Sequence, residues 1–139
     1  MAKTIIIFWS GTGNTEQMAN AVSNGAKSAG AEVVLKNVAD ASVSELANYD
    51  YVAFGSPAMG AEVIEESEME PFFSEAIKTL SGKKVAVFGS YDWGDGEWLR
   101  TWGGRVTEGG AVLVGSVKAN LTPDDAAIAE CEELGKKLA

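Results

Sequence analysis

The chain has no histidine among its 139 residues. That excludes His-based catalytic triads and metal sites that draw on imidazole. It has one cysteine, Cys131, so no internal disulfide forms. Cys131 falls in a helical pattern with Ile128, Leu134 and Leu138, which predicts a buried thiol rather than a reactive one. Basic residues are scarce: 11 Lys and Arg stand against 20 Asp and Glu, for a net charge of −9. Such a chain is a poor match for nucleic acid or an anionic membrane surface, and it favours partners with basic docking patches. No apolar stretch approaches membrane length, and Met1-Ala2-Lys3 runs straight into a strand pattern. Both features predict a cytoplasmic protein without a signal peptide. With no repeat, linker or low-complexity segment, residues 1–139 read as one domain.

What the chain does have is a regular alternation of strand and helix patterns. Strands are predicted at Thr4–Trp9, Glu32–Leu35, Tyr51–Gly55, Lys84–Gly89 and Val112–Val117. Helices are predicted at Asn14–Ala29, Val43–Ala47, Pro71–Leu80, Glu97–Val106 and Pro123–Leu138. Such alternation predicts an α/β fold with a doubly wound parallel sheet. Ligands of these sheets sit beyond the carboxyl ends of the strands, where the strand order reverses. The loops after the first, third and fourth strands should therefore converge.

The first of these loops is Ser10-Gly11-Thr12-Gly13-Asn14-Thr15, following the apolar run Thr4-Ile5-Ile6-Ile7-Phe8-Trp9. Two glycines let the backbone bend and expose its N–H groups, while three hydroxyls and an amide add neutral donors. No Lys or Arg lies between Thr4 and Ala26, so a phosphate here would be held without a neutralising cation. A P-loop would need Lys after the second glycine, and a dinucleotide fingerprint would need glycine where Glu16 stands. A bland alternative is an ordinary strand-to-helix turn with Thr12 or Asn14 as the cap. One cap needs only one hydroxyl, and this loop supplies three.

The second loop reads Ser56-Pro57-Ala58-Met59-Gly60-Ala61-Glu62, and the third reads Ser90-Tyr91-Asp92-Trp93-Gly94-Asp95-Gly96. Each carries one large polarisable side chain, Met59 or Trp93, able to cover a face of a flat aromatic ligand. A phosphate site beside a planar slot points to a mononucleotide, and a flavin fits better than adenine.

These motifs resemble those of short-chain flavodoxins of the type found in anaerobic bacteria. The likeness rests on Trp9–Thr15, on Ala58-Met59-Gly60-Ala61-Glu62 and on Gly89-Ser90-Tyr91-Asp92-Trp93-Gly94, and it spans almost the whole chain. The resemblance implies a five-stranded sheet in the order 2-1-3-4-5 with helices on both faces. It implies non-covalent FMN, one-electron transfer at low potential between redox proteins, and no catalytic or metal-ligating residues. It implies that Ser10, Thr12, Asn14 and Thr15 hold the phosphate with backbone help from Gly11 and Gly13, and that Ser90 assists. By the same likeness Met59 and Trp93 flank the isoalloxazine. Glu62 accepts from flavin N3, and the carbonyl of Gly60 turns to the protonated N5 when the Gly60-Ala61 peptide flips on semiquinone formation. Ser56, Pro57, Ala58, Ala61, Tyr91, Asp92 and Gly94 complete the implied site. Ala61 stands where close relatives carry a polar residue. Asp92 stands where they carry glycine, and would be strained if that position needs a positive φ. A monomer suits such a shuttle.

Eight acids, Glu62, Glu65, Glu66, Glu68, Glu70, Asp92, Asp95 and Glu97, crowd the second and third loops. If all were solvated near the flavin they would oppose its second electron by on the order of 1–2 kcal/mol, and they would steer basic partners. Trp98, Leu99, Trp102 and Val106 have helical spacing and read as core. The competing function is an FMN-dependent reductase of a small molecule such as a quinone. Such an enzyme needs extra chain for a substrate pocket, and none is left over. A phosphoacceptor receiver is excluded, because the third strand ends in Gly55 rather than aspartate.

Overall fold

The computed structural model describes residues 2–60 and 62–139, so Met1 and Ala61 lie outside the described residues. Five strands form one parallel sheet: β1 Lys3–Phe8, β2 Glu32–Asn37, β3 Tyr51–Gly55, β4 Lys84–Tyr91 and β5 Val112–Asn120. Their order is β2-β1-β3-β4-β5, as expected. The central strands are near-continuous apolar runs because both faces of the sheet are covered. Successive side chains alternate between those faces, so Ile5 and Ile7 enter one core while Ile6 and Phe8 enter the other.

Among the described residues four α-helices cover the sheet: α1 Asn14–Ser28, α2 Met69–Ala76, α3 Glu97–Glu108 and α4 Asp125–Lys136. Helix α1 (Met18, Val22) and α4 (Cys131, Leu134) pack with Ile6, Ala53, Ala86 and Phe88. Helices α2 (Met69, Phe73) and α3 (Trp98, Trp102) pack with Ile5, Phe54, Val85 and Val87 on the opposite face. The aromatic residues of that second core meet edge to face, as Phe54 and Phe73 do at 5.2 Å between ring centres. The Cys131 thiol is fully buried, and burial together with Glu130 and Glu132 pushes it up to about 12.

Several boundaries differ from those predicted. The helix predicted from Pro71 begins at Met69, because proline is tolerated in a first turn and the Glu65 carboxylate caps the preceding N–H groups. It tightens to a 3-10 turn at Ile77–Thr79 instead of running to Leu80 as α-helix. Strands β4 and β5 continue to Tyr91 and Asn120, each extending the other by pairing in register. Ser90 and Tyr91 are therefore strand residues, and the third loop begins at Asp92. The short helix near Val43 is a 3-10 segment, Val43–Asn48.

Glu65 shows how one acid is spent on structure. It is 4% exposed, and its carboxylate accepts from the N–H groups of Ser67 (2.8 Å), Glu68 (2.7 Å) and Met69 (2.9 Å) and from the Ser67 hydroxyl. Burial pushes this carboxyl upward, but the hydroxyl and the three N–H donors outweigh it and hold the group below the usual range. A depressed folded-state pKa contributes stability that is fully present above the unfolded value of about 4.3 and is lost as pH falls through the folded one. Glu65→Gln is therefore expected to cost about 1 kcal/mol at pH 7. That cost should shrink as pH falls below about 4.3 in urea melts recorded against pH, because the Glu65 carboxyl is then protonated and the charge difference between the two side chains disappears. A cost independent of pH would contradict the charge-assisted cap.

Candidate functional site

The first loop is shaped by Ser10 and Gly13. The Ser10 hydroxyl accepts from the N–H groups of Gly13 (3.1 Å) and Glu16 (3.3 Å), folding the loop back on its own start. Gly13 takes a φ of 96°, open to glycine at little cost, and is the residue that caps α1, in place of Thr12 or Asn14. A helix N-terminus leaves first-turn N–H groups without intrahelical partners, and those not bonded to the Ser10 or Thr12 hydroxyls are available to an anion. Thr15 is buried, with its hydroxyl 3.2 Å from that of Ser90 on β4, so the loop is tied to the neighbouring strand.

The second loop continues the β3–β4 pairing past Gly55. Ser56 donates its N–H to the Phe88 carbonyl (3.1 Å), and Ala58 donates to that of Ser90 (2.9 Å). This approach is close: a β-carbon at Gly89 would lie 1.9 Å from the Ser56 carbonyl oxygen. Ser56 is fully buried beneath the loop, where its hydroxyl accepts from the Glu65 N–H (2.9 Å) and its carbonyl from the Trp98 indole (3.2 Å). Met59 and Val63 then pair as an antiparallel bridge, enclosing Gly60, Ala61 and Glu62. Glu62 closes this three-residue hairpin with a φ of 53°, the left-handed residue such loops require. Gly60 is not left-handed, and a β-carbon there would meet nothing within 4 Å.

In the third loop the positive φ values fall on Gly94 (88°) and Gly96 (93°), and Asp92 takes an ordinary backbone. The aspartate at the glycine position therefore carries no backbone strain. Lys118 and Arg100 both donate to the Asp95 carbonyl, at 3.0 and 3.2 Å, and pin the loop from β5 and α3. Trp93 is 58% exposed.

The three loops enclose a cleft of about 240 Å³ lined by Ser10, Gly11, Thr12, Asn14, Thr15, Pro57, Ala58, Met59, Ser90, Tyr91 and Asp92. Two further lining residues, Trp9 and Leu121, were not singled out from the sequence. Trp9 adjoins the loop and donates its indole N–H to Glu68 (3.1 Å), so its position next to Ser10 was the available signal. Leu121 had none. Gly13, Ser56, Gly60, Glu62, Trp93 and Gly94 stand outside the cleft lining, around or beneath it. Ala61 lies outside the described residues.

One atom in this region is unsatisfied. Glu62 Oε1 is buried without a hydrogen-bond partner, and the carboxylate sits so close to Gly94 that a β-carbon there would lie 2.4 Å away. A buried acceptor costs its desolvation unless a donor arrives from outside the protein. Neutral anion donors on the first loop and an orphaned carboxylate oxygen on the second fit a cofactor with a phosphate and an N–H. FMN has both.

The comparisons agree. The family model described as flavodoxin matches residues 6–135. A flavodoxin of Megasphaera elsdenii is 46% identical over 134 residues, 96% of either chain, and one of Clostridium beijerinckii is 47% identical over 134 residues, 96% of this chain and 97% of that one. The solution structure of two-electron reduced Megasphaera elsdenii flavodoxin superposes with a TM-score of 0.90 at 46% identity, covering 96% of each chain. This chain belongs to the flavodoxin family. Flavodoxins bind FMN and transfer electrons to and from redox proteins, so this flavodoxin is an electron carrier and not an enzyme. The small-molecule reductase reading is thereby set aside.

The acidic face of this flavodoxin is thinner than the eight carboxylates of the sequence imply. Glu65 is buried in its cap. Glu70 is held by both guanidinium nitrogens of Arg105 (2.7 and 2.6 Å), which lowers its pKa against the effect of burial. Asp95 pairs with Arg100 at 3.2 Å. Glu66, Glu68, Asp92 and Glu97 remain exposed and outside any ion pair among the described residues. Among those residues no helix is long and apolar enough to cross a membrane.

Proposed function

We propose that the cleft holds FMN and that the protein shuttles single electrons at low potential. The reading rests above all on the orphaned Oε1 of Glu62. In it Ser10, Thr12, Asn14 and Thr15 bind the phosphate with the N–H groups of Gly11 and Gly13, and Ser90 supports Thr15. Residues from Ser56 to Glu62 and from Ser90 to Gly94 surround the ring system, with Met59 and Trp93 on opposite faces. Trp93, 58% exposed, has the free surface such a role needs. Glu62 accepts from flavin N3, and its negative charge opposes accumulation of a second electron, which keeps the potential low. Partners dock through basic patches against Glu66, Glu68, Asp92 and Glu97. The carrier acts as a cytoplasmic monomer, a setting in which a lone buried thiol such as Cys131 stays reduced and unreactive.

The Gly60-Ala61 peptide supplies the redox-linked movement, turning the Gly60 carbonyl toward the protonated N5 of the semiquinone. A turn with its central peptide reversed needs a positive φ at a central residue, which glycine permits. Gly60 is not left-handed here and has free space around it, so Gly60→Ala should leave folding and oxidised-FMN binding unchanged. Its whole cost falls on the turned conformer, about 1 kcal/mol, or roughly 40 mV in the midpoint of the first one-electron couple. Anaerobic potentiometry should find the first midpoint lowered by about that much and the two one-electron potentials drawn closer together. An unchanged separation would remove the flip from the mechanism.

A further inference from the structure

Leu121 is the one described residue that combines three unfavourable or unexplained features. It is a non-glycine residue with a φ of 57°, it is a large hydrophobic side chain 52% exposed, and it lines the cleft. A branched aliphatic residue gains nothing from the left-handed region, because its β-carbon crowds the following carbonyl. The conformation is imposed from β4. Leu121 donates its N–H to the Tyr91 carbonyl at 2.7 Å, and the amide of the adjacent Asn120 donates to the same oxygen at 3.2 Å. Tyr91 itself lines the cleft and packs on Trp98 at 5.5 Å, so the tip of β5 is fixed against a wall of the site. Backbone strain that the surroundings over-determine, in a residue whose side chain stays uncovered, marks a functional position.

We infer that Leu121 is an FMN-binding residue, an apolar wall supplied by the fourth strand-end loop that covers the carbon framework of the cofactor. The inference rests on the reading of the cleft as the FMN site. It adds a contact from β5 to loops that otherwise follow β1, β3 and β4. Covering the half-exposed side chain with FMN recovers the apolar contact that solvent denies it. Any side chain truncation should therefore weaken FMN binding, whether or not it relieves the strain.

The test uses the full chain stripped of FMN, with Leu121→Ala, Leu121→Gly and Ser10→Ala compared by fluorescence titration with FMN and by thermal melting without it. Ala removes the wall and keeps the strained φ, whereas Gly removes both. The expected result is FMN binding weakened about fivefold in both Leu121 variants, the change for uncovering roughly half a leucine. The FMN-free Gly variant should melt above the Ala variant, because only glycine adopts the left-handed backbone freely. A merely structural leucine would move the melting temperatures and leave both dissociation constants within twofold of the unaltered protein. That result, with Ser10→Ala still weakening FMN, would overturn the inference and spare the cleft. Unchanged binding in all three would overturn the cleft reading and the inference with it.

Discussion

Gly135→Ala is expected to destabilise the protein by about 3 kcal/mol and to lower its melting temperature by roughly 10 °C. Helices α1 and α4 meet backbone to backbone through two glycines. A β-carbon at Gly135 would lie 2.0 Å from the Val22 carbonyl oxygen and 2.7 Å from the Ala26 nitrogen. A β-carbon at Gly25 would lie 1.9 Å from the Glu132 carbonyl oxygen. Neither clash involves the flexible end of a side chain, so only separation of the helices relieves it. That separation would open the core formed by Met18, Val22, Cys131 and Leu134. Gly104→Ala is the control: Gly104 lies in α3 with an ordinary φ and nothing within 4 Å of an added β-carbon. Helix propensity alone predicts a gain there of about 1 kcal/mol. Thermal melts of the two variants should move in opposite directions, and a Gly135→Ala protein melting within about 2 °C of the parent would refute the close contact.

Glu62→Ala is expected to weaken FMN binding by about 10- to 100-fold, the range for removing a hydrogen bond to a charged acceptor. In the FMN-free protein Oε1 is buried without a partner beside Gly94. Truncation there removes an unsatisfied group, so the FMN-free protein should melt no lower than the parent. Loss of affinity without loss of stability is the signature of an acceptor kept for a ligand. Glu62→Gln separates charge from geometry, because the amide retains an acceptor oxygen without the negative charge. Its fully reduced state should form at a less negative potential, since adding the second electron no longer meets that charge. Parallel loss of stability and affinity in Glu62→Ala would instead make Glu62 a structural residue.

The first loop was legible as a candidate phosphate site because its donors are neighbours in the chain and its signal is compositional. The sheet order was legible through family resemblance, and strand placement through apolar periodicity. Strand ends were not: β4 and β5 each end where the other stops pairing, a relation between residues 84–91 and 112–120 that no local window contains. The acid cluster read as one solvated face, yet Glu65 and Glu70 are engaged by partners at α2 and α3. Backbone sign was also hidden: the positive φ of the second loop falls on Glu62, a residue type that gives no local signal of it. Leu121 was invisible because its conformation is dictated by a carbonyl thirty residues earlier, on Tyr91.

FMN in this cleft, carrying one electron at a time, has a direct spectroscopic signature. The direct measurement is the visible spectrum of the FMN-loaded protein during stepwise anaerobic reduction. The expected result is a yellow protein that turns blue through a neutral semiquinone and then bleaches. Direct bleaching with no blue intermediate would contradict one-electron carriage, and failure of the FMN-free protein to take up FMN would contradict the site itself.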